Sequence, residues 1–460
     1  MVKLFALSLC VAFISVLFAR DRKLRPMTSW PLWIALVWIV IVGTRFVSSW
    51  HGAEIDFDSS DILLEGSPLD RNIFLSLIIA GALVLLKRRP DWLTIFNTNR
   101  WFFIFFIYCA VSITWSDYPF VSFKRWIKEL GNVFMVLIIL TEKDPVQAIR
   151  AVFARYSYVV IPLSLLLIYF FPEIGTQYST DELETAYTGV TINKNTLGVV
   201  TLICALFLVW DLIYMRSTDD SKNDSLDLIC RFMLLSMAAW LMYLASSMTA
   251  LMCLLLGIGI LVFMKFTFFR RQVRFIGTYS LVFGLLVLFI LCFPGILETL
   301  VKALGRDLTF TGRTDLWTDL IDEPVNPLLG TGYQSFWLGS RADSLWEKYY
   351  YHPIQAHNGY LETYLNGGLM GTCLLMAMIV STGSKLKKQL QFESSFGAIL
   401  LAIFVAAIFY NLTEAMFGRL TLFWVILTIA ALYQPSLRNS MTRDMFRRTC
   451  AEIPANRGLR

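Results

Sequence analysis

Three kinds of side chain in this sequence could act together on a phosphate-bearing group: one imidazole, a few carboxylates, and a small set of cations. His357 opens the stretch HNGYLETYLNGGLMG, residues 357 to 371. Imidazole is the side chain that ordinarily changes charge between about pH 5 and 8, which suits it to taking or giving a proton. Behind it Asn358, Glu362 and Asn366 recur at i, i+4 and i+8 and so share one helical face. Polar groups carried into an apolar run mark a bundle interior or a water-filled cavity. Gly367 and Gly371 add a GxxxG that admits a close neighbour.

The cations lie in separate stretches. In FTGRTDLWTDL, residues 310 to 320, Arg313 falls in the first turn of a short amphipathic helix whose Leu316, Trp317 and Leu320 can pack on the membrane surface. A positive charge there opposes the helix dipole, so an external anion explains it better than local stability; the alternative is an ion pair with Asp315 or Asp319. FVSFKRWIKEL, residues 120 to 130, reads as a helix in the outer interface. Its Lys124 and Lys128 share a face beside Arg125, as a snorkelling anchor or as a seat for an anionic lipid headgroup. GVTINKNTLG supplies Lys194. NLTEAMFGRLTLFW, residues 411 to 424, reads as the start of the final span, with Glu414 at the surface and Arg419 about one turn inside. NPLLGTGYQSFW, residues 326 to 337, holds a Gly-x-Gly without the strand and helix of a dinucleotide fold, so it is a weak phosphate-loop signal. Its Tyr333 joins Asn358 as a candidate substrate contact. Lys124, Arg125, Lys128, Lys194, Arg313 and Arg419 together could neutralise a pyrophosphate, with His357, Glu362 and Glu414 as the proton-transfer groups.

What must position these groups is a membrane bundle. The chain is 57% hydrophobic and only 16% charged, and its apolar runs are too long for a soluble core. The expectation is an all-α polytopic membrane protein with about 12 to 13 transmembrane helices. Candidate spans lie near 2–19, 30–47, 71–86, 101–115, 130–141, 148–171, 196–215, 229–246, 249–269, 275–297, 360–380, 395–412 and 415–433. Lys and Arg gather in alternate connections, at 20–25, 87–89, 265–274, 385–388 and in the tail, which marks those as cytoplasmic. The N-terminus, the acidic segments 54–70 and 173–184, and a large loop at 298–359 between the tenth and eleventh helices then face outward. Residues 1–434 form a single membrane domain and 435–460 a basic cytoplasmic tail. The net charge of +6 lies on the side where anionic lipid accounts for it, with no nucleic acid required. All three histidines, His51, His352 and His357, map to the outer side. His352 and His357 are five apart around Pro353, which does not make a zinc pair, and no CxxC is present among the eight cysteines.

The ordered set WSDYPFVSFKRW, GVTINKNTLG, SSMTALM, GRTDLW, PLLGTGYQSFW, HNGYLETYLNGGLMG and NLTEAMFGRL, spanning about residues 100 to 425, resembles the O-antigen ligase and polymerase superfamily. Within it the chain is most similar to ExoQ-like exopolysaccharide production proteins. The resemblance implies a GT-C-like glycosyltransferase of the bacterial inner membrane with its active site toward the periplasm. It implies a donor glycan on undecaprenyl pyrophosphate, no metal, no other cofactor and no nucleotide sugar. Inversion at the anomeric carbon would follow from a single displacement. Arg313 would hold the pyrophosphate, and His357 would assist the attacking hydroxyl or the departing phosphate. Glu414 and Arg419 match a further polar position, and a flippase and a chain-length regulator are implied partners. Where many members carry Arg in S-x-S-R-x-A, this chain has Met248, a missing cation for which Lys194 or Arg125 would substitute.

Polymerase and lipid A-core ligase share donor and site and differ only in acceptor; the resemblance favours polymerase. A transporter for the same lipid would also want outer cations, but no inverted repeat or paired broken helix is visible, and a membrane scaffold is the least demanding alternative. The topology is directly testable. In a cysteine-free background, single cysteines at Ser179 and Ser344 should react with an impermeant thiol reagent applied to spheroplasts, and one at Ser384 should not. The opposite pattern would turn the molecule over in the membrane and discard an outward-facing site.

Overall fold

The structure, a computed structural model, describes residues 1–24, 29–50, 67–179, 184–215, 225–272, 313–349, 351–392 and 394–434. Its long helices are α1 (Val2–Leu24), α2 (Pro31–Gly43), α3 (Pro68–Arg88), α4 (Arg100–Val111), α5 (Pro119–Leu140), α6 (Pro145–Phe170), α7 (Lys194–Trp210), α8 (Ser225–Ala245), α9 (Met248–Phe263), α10 (Arg313–Asp322), α11 (Ser340–Lys348), α12 (Gly359–Phe392), α13 (Ser394–Tyr410) and α14 (Leu422–Leu432). Twelve of the spans expected from sequence coincide with helices in this set. The remaining one, 275–297, lies outside the described residues, as do His51, the tail and the first part of the large loop. The protein is a multi-pass helical membrane protein. Six helices of 18 residues or more are apolar enough to cross a bilayer, among the described residues. A small antiparallel hairpin pairing Thr176–Ser179 with Glu184–Tyr187 was not anticipated.

Burial explains the layering. Every residue of α14, and nearly all of α7 from Leu197 to Trp210, is buried. These two helices are apolar on all sides because they are surrounded by others. Helices α1, α3 and α8 each turn exposed Leu, Ile, Val or Phe outward, as lipid-facing helices do.

Polar contacts sort the helix termini into two ends. At one end Arg155 pairs with Asp21 at 2.7 Å, Arg88 with Glu142, Arg150 and Arg231 with Asp211, and Lys385 with Asn99. At the other, Arg45 reaches the carbonyl of Ile174 at 2.6 Å, Arg341 pairs with Asp117 at 3.0 Å, and Arg313 meets Glu414. The basic connections at 20–25, 87–89 and 385–388 therefore share the first end, and the candidate site occupies the second.

Two expectations need correction. Residues 120–130 are not a separate interfacial helix: α5 runs unbroken from Pro119 to Leu140, so its charges ride on the N-terminal half of a packed helix. Residues 411–421 do not begin the last span either. They form an irregular segment, and α14 starts at Leu422, capped by the Thr421 side chain. The Asn411 side chain satisfies part of that segment's own backbone, its Oδ1 accepting from Met416 N at 2.8 Å and Phe417 N at 3.2 Å.

The decisive element is the break in α12. Gly368 has φ 60° and ψ −164°, a backbone region open essentially to glycine alone. The break frees backbone groups on both sides, and the segment PLLGTG takes them up. Leu369 N donates to Pro327 O at 2.8 Å and Met370 N to Leu328 O at 3.1 Å, while Thr331 N and Gly332 N donate to Leu365 O and Asn366 O at 3.0 and 2.9 Å. A Cβ on Gly330 would meet the Asn366 carbonyl carbon at 2.5 Å, and one on Gly332 the Ser116 Cα at 2.5 Å. The Gly-x-Gly thus serves close backbone approach and does not cradle a phosphate. The GxxxG admits a neighbour as expected: Tyr108 of α4 lies against Gly367 and Gly371 and donates its hydroxyl to Gly367 O at 2.6 Å.

Leu316 and Leu320 of α10 do not lie on the membrane surface. They pack with Phe336, Trp337, Leu345, Ala356 and Leu365 into a small second core over the first leg of α12. Gly368→Ala should cost about 1–3 kcal/mol from backbone strain alone, and its Cβ would also meet Leu328 at 2.3 Å. Gly259→Ala, whose Cβ would meet nothing nearer than 3.9 Å, should be neutral or slightly stabilising. Thermal unfolding of both variants in the same detergent tests this; equal midpoints would mean the break is not a constraint.

Candidate functional site

The site is assembled around one buried carboxylate. Glu414, in the segment between α13 and α14, has a side chain only 5% exposed and gathers four partners from different parts of the chain. Arg313, the first residue of α10, contacts its Oε1 at 3.2 Å and also donates to the Thr413 carbonyl. Asn195, in the first turn of α7, donates to Oε1 at 3.1 Å. Gln355 Nε2 donates to Oε2 at 3.1 Å, and His357 Nδ1 lies 3.1 Å from the same oxygen. Burial on its own favours the neutral acid. The hydrogen bond and charge of His357, with those of Arg313, outweigh it and leave Glu414 below the ordinary glutamate range.

The imidazole is fixed by this contact. With Nδ1 on the carboxylate, Nε2 is the ring nitrogen left for another group, the arrangement in which a carboxylate sets tautomer and orientation. His357 has φ 48°, a conformation costly for a non-glycine residue. It is held by the loop around it: Ala356 N donates to Glu362 Oε2 at 2.9 Å and Trp317 Nε1 to Ala356 O at 2.7 Å. His352, by contrast, stacks on Trp346 with ring centroids 4.8 Å apart, away from the carboxylate.

The other sequence candidates separate into three groups. Arg419 donates to Gln355 Oε1 at 3.4 Å and Ile354 O at 3.1 Å, so it borders the His357 cluster without being the buried helical charge expected. Lys194 begins α7 beside Asn195. Arg125 donates to the Gln334 carbonyl, on the wall of an adjoining cavity, and Tyr333 donates to Gly418 O at 2.7 Å. Glu362 and Asn358 serve the framework. Glu362 accepts from Trp337 Nε1 at 3.0 Å and from Ala356 N, while Asn358 Oδ1 accepts from Tyr360 N and Leu361 N and so starts α12. Lys124 and Lys128 are not brought to Glu414: they lie over Phe120, at 5.1 Å, and over Phe46 and Phe74, at 5.7 and 5.3 Å. Within the protein Arg313 pairs with Glu414 and not with Asp315, and Asp319 pairs instead with Lys348 at 2.5 Å.

Sequence reasoning missed Gln355 and Asn195. Both are uncharged and within two residues of a nominated residue. For Gln355 the usable signal was its i, i+2 relation to His357 in a proline-marked, non-helical segment, where alternate side chains share a side.

Parts of the chain that supply this site are similar in sequence to known proteins. A family model described as O-antigen ligase matches residues 232–376, the stretch that contains Arg313 and His357. The chain is also 27% identical over 298 residues to the exopolysaccharide production protein ExoQ of Rhizobium meliloti (strain 1021). That alignment covers 61% of this chain and 63% of the relative, less than two thirds of its length. Over these residues the chain is similar to the O-antigen ligase family and to ExoQ, in line with its ordered motifs.

The depressed Glu414 titration has a readable consequence. A carboxyl group whose pKa is lower folded than unfolded stabilises the fold fully above its ordinary value, near 4.3, and loses that contribution as pH falls through the depressed one. Glu414→Gln should therefore flatten part of the acid limb of the thermal midpoint against pH, and lower the midpoint at pH 7. An acid limb identical to that of the native protein would show that Glu414 is not charged in the folded state.

Proposed function

We propose that this protein is a membrane glycosyltransferase of polysaccharide assembly that works as a polymerase. On this reading it transfers a glycan from undecaprenyl pyrophosphate to a sugar hydroxyl of another lipid-linked repeat unit, at the periplasmic face of the bacterial inner membrane. The observation that carries the reading is the convergence of Arg313 and His357 on Glu414 from loops far apart in sequence. The periplasmic assignment is supported by the site's position at the end opposite the basic connections. The name of the ExoQ relative favours an exopolysaccharide product. The family description favours the second reading, a ligase with lipid A-core as acceptor.

In this scheme the acceptor oxygen bonds to the anomeric carbon as the bond from that carbon to the phosphate oxygen breaks. The electron pair leaves with the lipid pyrophosphate, and the configuration inverts. His357 Nε2 takes the hydroxyl proton, while Glu414 holds Nδ1 and stabilises the imidazolium that forms. Arg313 meets the pyrophosphate, Lys194 adds charge where Met248 stands in place of the usual arginine, and guanidinium groups supply the neutralisation. Chain-length control and delivery of the donor to the outer leaflet fall to partner proteins.

The test is an in vitro transfer assay with purified protein and lipid-linked repeat units. His357→Ala should lower turnover about 10²- to 10⁴-fold with donor still bound, and His352→Ala should do much less. Arg313→Ala should abolish transfer and weaken donor binding, and Arg313→Lys should retain part of both unless the contact is bidentate. Normal transfer by a stably inserted Arg313→Ala would remove the clamp, and equal near-normal rates from both histidine variants would remove the base.

A further inference from the structure

Beside the Glu414 cluster lies a partly open cavity, walled by α4, the first leg of α12 and the segments around Tyr333 and Gly418. We propose that this cavity seats a sugar ring of the acceptor glycan, a subsite that rests on the glycosyltransferase reading and gives it a direction.

Position is the first support. Arg419 lines the cavity and donates to Gln355, which in turn contacts both Glu414 and His357. Arg419 and Gln355 therefore link the cavity to the imidazole, so a sugar ring held there lies on the approach to the proposed base.

The lining chemistry selects among the three parts of the substrates. Arg419 is the one cation among the lining residues. Glu362, the lining carboxylate, already accepts from an indole and a backbone amide. A pyrophosphate gains more from Arg313 outside the cavity. A polyprenyl chain would remove water from the Arg419 charge and offer it no partner. A neutral sugar ring suits both kinds of wall: its hydroxyls meet the amide and hydroxyl groups, and its C–H face meets Tyr108 and Phe417. Thr363 donates to Gly359 O at 2.7 Å, which leaves its oxygen able to accept from a sugar hydroxyl.

The walls are also fixed before any ligand arrives. Tyr108 is tied to Gly367 O, Tyr333 to Gly418 O, and Gln334 Nε2 to both the Tyr333 hydroxyl and Gly418 O at 2.8 and 2.6 Å. A preformed seat spares the ordering cost that a flexible acceptor would otherwise impose on the protein.

Thr363→Phe fills the cavity, and Thr363→Val removes only the hydroxyl. With full-length protein in nanodiscs, a lipid-linked repeat unit as donor and the same repeat unit released from its lipid as acceptor, Thr363→Phe should raise the acceptor KM about tenfold or more. Thr363→Val should raise it by a smaller factor, with donor Kd unchanged in both. An unchanged acceptor KM in Thr363→Val, or in a folded Thr363→Phe, overturns the subsite. So does a donor Kd that rises with Thr363→Phe for long-chain but not chain-shortened donors, which would give the cavity to the lipid tail. Absence of donor binding and transfer by the native protein would be a different result: it overturns the glycosyltransferase reading and this subsite with it.

Discussion

A helix can stop inside a membrane protein only where its freed N–H and C=O groups find partners, because lipid offers none. The break at Gly368 meets that condition through the backbone of residues 327–332, and the rest of the site follows from it. Docking PLLGTG against the break brings Ser335 and Phe336 onto Asn366, whose Oδ1 accepts from both amides at 2.9 and 3.2 Å. Trp337 then reaches Glu362, and Glu362 holds Ala356 N. The residue after Ala356 is His357. The polar stripe of α12 thus fixes the loop that carries the imidazole, which is why Glu362 and Asn366 are buried and hydrogen-bonded.

Glu414 repeats the theme with charge. A carboxylate that is nearly inaccessible to water is expensive, and removing one partner from a buried pair costs far more than the pair is worth in net stability. Four donors from three separate regions make the cost bearable only when α7, α10 and the 354–357 loop are all in place. The carboxylate therefore works as a register pin: it is satisfied in one arrangement of the loops, and that arrangement orients the imidazole.

The helices were legible because spans announce themselves by length and apolarity, and the two ends because basic residues fall in alternate connections. The errors came where those rules give out. Apolar periodicity in 120–130 is the same for an interfacial helix and for the N-terminal half of a long one, and only the packing of Trp126 against Phe106, with rings 5.0 Å apart, separates the two. Leu316 and Leu320 could face lipid or a small protein core with equal hydrophobic gain. The convergence of Arg313, His357 and Glu414 was inferred from charge type at one end of the bundle, but Gln355 carries no charge and Asn195 reads as a helix cap. Neutral hydrogen-bonding partners leave almost no trace in a single sequence.

The distribution of charge between the two ends then separates structural cations from available ones. At the basic end Arg155, Arg88, Arg150 and Arg231 each have a carboxylate at hydrogen-bond range. At the site end Arg341 is likewise answered by Asp117 and Glu323. Arg313 must share Glu414 with His357, however, and among the described residues Arg419 bonds to carbonyl oxygens of Gln355 and Ile354. A guanidinium bonded to neutral oxygens keeps its full charge, and in a partly enclosed site that charge is weakly screened. Charge of this kind stands beside the His357 loop, so an anion arriving there meets a guanidinium not answered by a carboxylate where the imidazole is already oriented.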